Sequence, residues 1–206
     1  MDTARYWVAL LTLATVAPFA PAWLLIHPLA RFWRKVGPAV TYSAVLAVVA
    51  ALASVLVLCR HWLLAVHWAA KWPLIATGLA LIAASVAIAA ARLRCLPLSV
   101  MIGVPEVSRK APGRLLTEGI YSRIRHPRYV EIGVGLAGLA LFTNYLAMYV
   151  LAAAYWPTIY VIVLLEEREL KHRFGEAYEE YCRRVPRFIP GLKRGECARG
   201  RDAHPP

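Results

Sequence analysis

Long apolar blocks alternate with short polar segments along this chain of 206 residues. Three blocks carry no charged residue over 20 or 21 positions: Tyr6–Ile26, Ala39–Leu58 and Trp72–Ala91. A helix rises about 1.5 Å per residue, so each block is long enough to cross a hydrocarbon layer about 30 Å thick. The pattern therefore predicts three transmembrane helices in the first half of the chain.

A fourth apolar stretch is longer than one crossing requires. Between Arg128 and Glu166 lie 37 residues, and Glu131 carries the only charge among them. The polar pair Thr143-Asn144 interrupts the stretch and marks a turn. The pattern therefore predicts a helical hairpin that returns the chain to the membrane face where it began. Its two arms are Tyr129–Phe142 and Tyr145–Leu165.

The segment after the hairpin has an amphipathic helical pattern. Apolar residues recur at spacings of three and four, which places them on one helix face. These residues are Leu170, Phe174, Tyr178, Tyr181 and Val185. Pro186 and Pro190 are expected to end the helix. The sequence thus predicts an all-α, polytopic membrane helix bundle with about five transmembrane helices and a C-terminal interfacial amphipathic helix.

Composition and charge support this prediction and suggest an orientation. Hydrophobic residues form 60% of the chain, against about 45–50% in soluble domains. With five crossings and the N-terminus outside, 21 of the 24 Lys and Arg residues fall on one side, as is typical of the cytosolic side. We therefore expect a cytosolic C-terminus and, from the Ala-, Arg- and Leu-rich composition, a bacterial inner membrane. The net charge is +12, and the charged residues lie beside the apolar blocks. This arrangement favours membrane lipids over nucleic acid as partners.

The chain divides into three parts. Residues 1–91 hold three predicted helices, residues 92–190 hold a polar loop, the hairpin and the amphipathic helix, and residues 191–206 form a tail expected to be disordered. The irregular loop Arg92–Ile124 is the expected wall of a ligand pocket. The four Cys residues are scattered, so we expect neither a metal site nor a disulfide framework.

Two charged clusters flank the predicted hairpin and should meet at one membrane face. Arg125 and His126 precede the hairpin, whereas Glu166 and Glu167 follow it. A helix C-terminus disfavours anions, so these carboxylates need cationic partners from the protein or from a ligand. Glu131 is a third carboxylate, either paired with a nearby Arg or functional. The pattern predicts a polar site for a small zwitterionic or charged ligand.

Five short motifs follow one another around this site. They read LLTEGIY at 115–121, RHPRY at 125–129, EE at 166–167, FGEAYEEY at 174–181 and VPRFIP at 185–190. Together they resemble the isoprenylcysteine carboxyl methyltransferase superfamily of membrane enzymes, which includes phospholipid and thiol methyltransferase branches. The resemblance covers about Arg92–Leu192, half of the chain.

The resemblance implies an enzyme that transfers a methyl group from S-adenosylmethionine to a lipophilic or small acceptor at the cytosolic face. By matching positions it assigns cofactor binding to Leu115, Leu116, Tyr121, His126, Pro127, Tyr129 and Glu166. Three residues are candidate catalytic groups. Arg125 suits the cofactor carboxylate, and Glu131 or Glu167 could act as the base that a thiol or amine acceptor needs.

One position departs from the superfamily pattern and leaves the acceptor open. Members that methylate prenylcysteine carboxylates typically carry an Arg about one helical turn before the Glu pair, where this chain has Ile162. A prenylcysteine-like carboxylate, a thiol and a lipid amine remain candidate acceptors, and Ile162 favours an uncharged lipophilic one. Two other hypotheses are an NADPH-dependent enzyme of the sterol-reductase type, which usually lacks the Glu pair, and a non-catalytic membrane scaffold.

Overall fold

The computed structural model describes residues 1–19, 21, 30–95 and 115–191. Within these ranges the chain is all-α, as predicted. The α-helices are α1 (Asp2–Val16), α2 (Ala30–Val36), α3 (Pro38–Leu58), α4 (Arg60–Leu63), α5 (Trp72–Leu93), α6 (Pro127–Thr143), α7 (Leu146–Phe174) and α8 (Glu176–Arg184), with a 3-10 helix at Gly119–Ser122. The predicted tail, except Gly191, and the middle of the loop Arg92–Ile124 lie outside the described residues.

Three of the described helices, α3, α5 and α7, are long and apolar enough to cross a membrane. Their positions confirm an integral-membrane helix bundle. The first predicted span fits less well, since α1 ends at Val16 and not at Ile26, which lies outside the described residues. Pro18 accounts for this end, because it has no N–H with which to continue the helical hydrogen bonds.

The helix α7 has 29 residues and is longer than a membrane requires. At about 1.5 Å per residue it measures roughly 43 Å, against about 30 Å of hydrocarbon. Its apolar part ends at Leu165, where the prediction ended it, and the last nine residues are rich in charge. We therefore treat residues 146–165 as the membrane-spanning part, so that Glu166 and Glu167 stand beyond the hydrocarbon.

The predicted hairpin turn at Thr143-Asn144 is confirmed. Asn144 adopts a left-handed conformation with φ 58°, which Asn tolerates better than most residues. Its side-chain Nδ2 donates to the Ala69 carbonyl at 3.0 Å. From α1, Arg5 donates two hydrogen bonds to the Thr143 carbonyl at 3.0 and 2.7 Å. The turn is thus held by α1 and by the segment before α5, a contact that no sequence pattern indicated.

The helices α5 and α6 pack at very short range through two glycines. A Cβ atom added at Gly78 would lie 2.7 Å from the Gly138 carbonyl oxygen, and one added at Gly138 would lie 2.7 Å from that of Gly78. Backbone atoms cannot move aside as a flexible side chain can. The small residues therefore permit the close approach that fixes α6, and with it the start of the hairpin, against α5.

The amphipathic stripe is interrupted, and its apolar residues face protein. Gly175, with φ 53°, separates α7 from α8, so the predicted continuous helix is two helices. Tyr178, Tyr181 and Val185 are buried and form a core cluster with Cys182. Leu115, Leu170 and Phe174 pack against this cluster. The helix α8 therefore covers the end of α7.

Candidate functional site

The carboxylate of Glu167 is the centre of a buried charged cluster. Its side chain is fully buried. Arg187 binds it with two parallel contacts, from Nε to Oε1 at 3.0 Å and from Nη2 to Oε2 at 2.6 Å. His126 Nε2 lies 3.2 Å and Arg125 Nη2 lies 3.3 Å from Oε1. The predicted meeting of the two clusters therefore exists, and Arg187 joins them.

These cationic neighbours keep Glu167 ionised. Burial raises the pKa of Glu167, but hydrogen bonds with His126 and Arg187, together with the charges of His126 and Arg125, outweigh burial and hold the pKa at about 2. Both carboxylate oxygens are engaged by protein groups. A buried charge with such partners fixes the geometry of its neighbours, since removing any one partner leaves the charge undercompensated.

A short backbone ladder aligns the segment before α6 with the segment after α8. The Arg125 N–H donates to the Pro186 carbonyl at 2.9 Å, and the His126 N–H donates to the Arg187 carbonyl at 3.2 Å. Pro127, the first residue of α6, is buried and suits a helix start because its missing N–H is not needed there. The RHPRY and VPRFIP motifs therefore lie side by side and pair through their backbones.

The second carboxylate of the pair, Glu166, faces a different set of groups. It accepts a hydrogen bond from the Tyr129 hydroxyl at 2.8 Å and lies 3.7 Å from His126 Nδ1. The His126 and Tyr129 rings are stacked with centroids 5.9 Å apart, and the Phe188 ring lies 6.1 Å from His126. About a quarter of the Glu166 side chain is exposed, so this carboxylate can receive a ligand.

The structure describes the three predicted residues upstream of α6. Leu115 packs against the core cluster under α8, and Leu116 is half-buried. The Tyr121 carbonyl accepts a hydrogen bond from the Tyr181 hydroxyl at 2.6 Å. Burial raises the pKa of Tyr121 to about 12. The nearby charge of Arg92 lowers this pKa and that of Glu166 raises it, both to a smaller extent. Its hydroxyl therefore stays protonated and can donate a hydrogen bond.

Glu131 lies at a separate contact, between α5 and α6. Arg92 Nε and Nη2 bind its two oxygens at 2.7 and 3.3 Å, and Ser85 Oγ donates to its backbone carbonyl at 2.8 Å. Sequence reasoning had expected pairing with an Arg close in the chain. The partner comes instead from α5, because the glycine contact brings the two helices together.

An apolar cavity of about 520 Å³ lies next to Tyr129, the residue whose hydroxyl binds Glu166. It lies between the end of α1, the start of α6 and the middle of α7, and Ile159 and Ile162 form part of its wall. Arg128 is its one charged lining residue within the described part of the chain. The volume falls within the range of about 300–1,000 Å³ that is usual for small-molecule sites. Tyr129 lines the cavity with its side chain and binds Glu166 with its hydroxyl.

Two residues of the site were missed as site residues by the sequence reasoning. Arg187 and Phe188 were noticed only as parts of the VPRFIP motif, without a role. Their signal was the motif itself, which places a cation and an aromatic ring directly after a helix that folds back. Within the described residues there is no cluster of His, Cys, Asp and Glu that could hold a metal ion.

Known proteins share sequence with the second half of this chain. The sequence signature of the phospholipid methyltransferase family matches residues 73–177, from the start of α5 into α8. The nickel-cobalt-cadmium resistance protein NccN of Alcaligenes xylosoxydans xylosoxydans is 34% identical over 86 residues, which cover 42% of this chain and 40% of that protein. No solved structure matches the chain.

Two named methyltransferases are also similar to the chain. The protein-S-isoprenylcysteine O-methyltransferase of Schizosaccharomyces pombe is 34% identical over 77 residues, which cover 37% of this chain and 33% of the enzyme. The methanethiol S-methyltransferase of Crocosphaera subtropica is 36% identical over 87 residues, which cover 41% and 32%. The chain spans less than half the length of the curated relatives it matches. Because the family signature covers half of its residues, the chain belongs to the phospholipid methyltransferase family, within the superfamily that its motifs resemble.

Proposed function

We propose that this protein transfers a methyl group from S-adenosylmethionine to a lipophilic or small acceptor at the cytosolic face of a membrane. The observation that carries the proposal is the position of Tyr129. Its hydroxyl binds Glu166 in the charged site, and its side chain lines the apolar cavity. One residue therefore connects the charged site, suited to the cofactor, with the apolar cavity, suited to the acceptor.

The residues of the charged site fit this cofactor. The partly exposed Glu166 carboxylate suits its ammonium group or its ribose hydroxyls. The stacked His126 and Tyr129 rings offer aromatic faces for the adenine or the sulfonium. Arg125 lies beside Glu167 and suits the cofactor carboxylate. Pro127, Leu115, Leu116 and Tyr121 complete the proposed binding region through the start of α6 and the segment before it.

Bound S-adenosylmethionine would supply an electrophilic methyl group, and the protein mainly has to align the acceptor with it and exclude water. In this proposal Glu167 holds Arg125, His126 and Arg187 in place through its buried contacts. The same engagement makes Glu167 and the Arg92-bound Glu131 poorly placed to collect a proton. A nucleophile that needs no base, or one that is ionised before it binds, suits such a site best.

The cavity favours a lipophilic acceptor. The fully buried Ile162 stands on its wall, one helical turn before Glu166. No cation therefore lies at the place where the superfamily pattern has an Arg. Arg128 supplies a positive charge from the other side of the cavity, and it could contact an anionic headgroup while the apolar part of the acceptor fills the cavity. A short thiol would leave most of this volume empty.

Binding and transfer measurements on the purified protein in detergent or nanodiscs test the proposal. We expect saturable binding of S-adenosylhomocysteine and no tight binding of NADPH. Incubation with methyl-labelled S-adenosylmethionine, followed by mass spectrometry of lipids, thiols and prenylcysteine analogues, should show label on a lipophilic acceptor. Tight binding of NADPH without binding of S-adenosylhomocysteine would contradict the proposal and favour a reductase.

A further inference from the structure

Tyr178, on the inner face of α8, has a buried hydroxyl group with no hydrogen-bond partner among the described residues. The residue is 1% exposed. Two other buried tyrosines of the same region differ from it. Tyr181 donates to the Tyr121 carbonyl at 2.6 Å, and Tyr155 donates to the Tyr129 carbonyl at 2.8 Å. Buried hydroxyls are almost always paired, so the exception at Tyr178 calls for a physical reason.

The hydroxyl of Tyr178 lies within the electrostatic reach of the charged site. Burial raises its pKa, and the nearby charges of Glu167 and Glu166 raise it further, whereas Arg125 lowers it. The group is therefore a neutral phenol that can donate a hydrogen bond. The Glu167 oxygens are already engaged by Arg187, His126 and Arg125, so this donor is left for an acceptor atom that the described residues do not supply.

We propose that Tyr178 is a ligand-binding residue, and that its hydroxyl donates a hydrogen bond to the carboxylate of the methionyl part of the methyl donor. This inference rests on the proposed function. Among the groups of that donor a carboxylate is the strongest acceptor, and the guanidinium of Arg125 near the same hydroxyl stabilises an anion there. Because α8 covers the end of α7, Tyr178 would hold the ligand from the side of α8.

Two phenylalanine variants form a matched pair for the test, since each removes one hydroxyl from neighbouring rings 6.0 Å apart. In Tyr178→Phe the lost hydroxyl has no hydrogen-bond partner in the described part of the chain, so the ligand-free protein should unfold at the same temperature as the wild type or at a higher one. In Tyr181→Phe a protein hydrogen bond is lost, so the unfolding temperature should fall.

Affinities for two probes complete the experiment. S-adenosylhomocysteine carries the carboxylate, and 5′-methylthioadenosine lacks the whole amino-acid part. We expect Tyr178→Phe to weaken the first affinity about tenfold, which corresponds to about 1.4 kcal/mol, and to leave the second unchanged. Tyr181→Phe should affect both affinities equally or neither.

Three outcomes would overturn the inference. Unchanged binding of S-adenosylhomocysteine by Tyr178→Phe would show that the hydroxyl has no ligand contact. An equal loss of affinity for both probes, together with a lower unfolding temperature, would show that the hydroxyl has a structural role. Failure of the wild type to bind S-adenosylhomocysteine would instead contradict the proposed function, and with it the role of Tyr178. Because the wild type is measured first, this outcome is distinguished from the other two.

Discussion

Arg187 and Glu167 form a bidentate ion pair with contacts of 3.0 and 2.6 Å, 20 positions apart in the sequence. The pair joins the end of the long helix α7 to the segment that follows α8. The backbone carbonyl of the same Arg187 accepts a hydrogen bond from the His126 N–H. Arg187 therefore also links the RHPRY motif to the VPRFIP motif. The contact between the EE and VPRFIP motifs therefore organises the site.

Replacing Arg187 should destabilise the protein and weaken binding of S-adenosylhomocysteine. In Arg187→Ala the buried Glu167 loses its strongest partner, at a cost of about 3 kcal/mol in the free energy of unfolding. Thermal unfolding in detergent measures the first effect and equilibrium binding the second. Arg184→Ala is the control, since its exposed pair with Glu180 should contribute less than about 0.5 kcal/mol. Equal stability of the two variants would contradict the central role of the pair.

The hydroxyl of Tyr129 should matter for the cofactor more than for the fold. Tyr129→Phe removes the 2.8 Å hydrogen bond to Glu166 but keeps the ring that lines the cavity. We expect a several-fold weaker affinity for S-adenosylhomocysteine, with a loss of stability of only about 1 kcal/mol. Tyr155→Phe is the matched control, because its hydroxyl binds the backbone carbonyl of Tyr129 and its loss leaves the hydrogen bond from the Tyr129 hydroxyl to Glu166 in place. A variant Tyr129→Phe with wild-type affinity would remove this residue from the binding site.

Filling the apolar cavity should block the acceptor and spare the cofactor. Ala154 lines the cavity, so the indole ring in Ala154→Trp would occupy part of its volume. We expect a large loss of methyl transfer to lipophilic acceptors, with unchanged affinity for S-adenosylhomocysteine. The control is Ala153→Trp, which changes an exposed neighbour on the same helix outside the cavity lining. Comparable transfer rates in the two variants would show that the acceptor binds elsewhere.

Glu131 should act through its ion pair with Arg92. Glu131→Gln leaves the buried guanidinium without its charge partner, and we expect a stability loss of about 3 kcal/mol. The double variant Arg92→Met with Glu131→Leu should recover most of it, since apolar residues of similar size often replace a buried pair without loss. If Glu131 is instead the base for a thiol or amine acceptor, the double variant will be stable but will not transfer the methyl group.

The glycine contact between α5 and α6 should tolerate no side chain. A methyl group at Gly138 would lie 2.7 Å from a backbone oxygen of α5, whereas one at Gly135 would meet the Ser85 hydroxyl at 2.9 Å, and a side chain can rotate away. Gly138→Ala should therefore lower the unfolding temperature more than Gly135→Ala. Similar temperatures for the two variants would mean that the helices can separate without cost.

Much of the architecture could be predicted from the sequence, because the bilayer imposes a length and a polarity that any crossing helix must match. The bounds of α3 and α5, the turn at Thr143-Asn144 and the meeting of Arg125 and His126 with the Glu pair follow from apolar lengths and charge positions. The order of the motifs also indicated the family, which the comparisons confirm.

Contacts between distant segments were decided only by the tertiary structure. No spacing rule links Arg187 to Glu167, Arg92 to Glu131 or Arg5 to Thr143, since each pair depends on how helices pack and fold back. The same holds for Tyr178, which the sequence placed on an apolar face and the structure buries beside charged groups. Local physics determines where helices begin, end and cross a membrane, whereas a side chain's partner depends on the packing of the whole bundle.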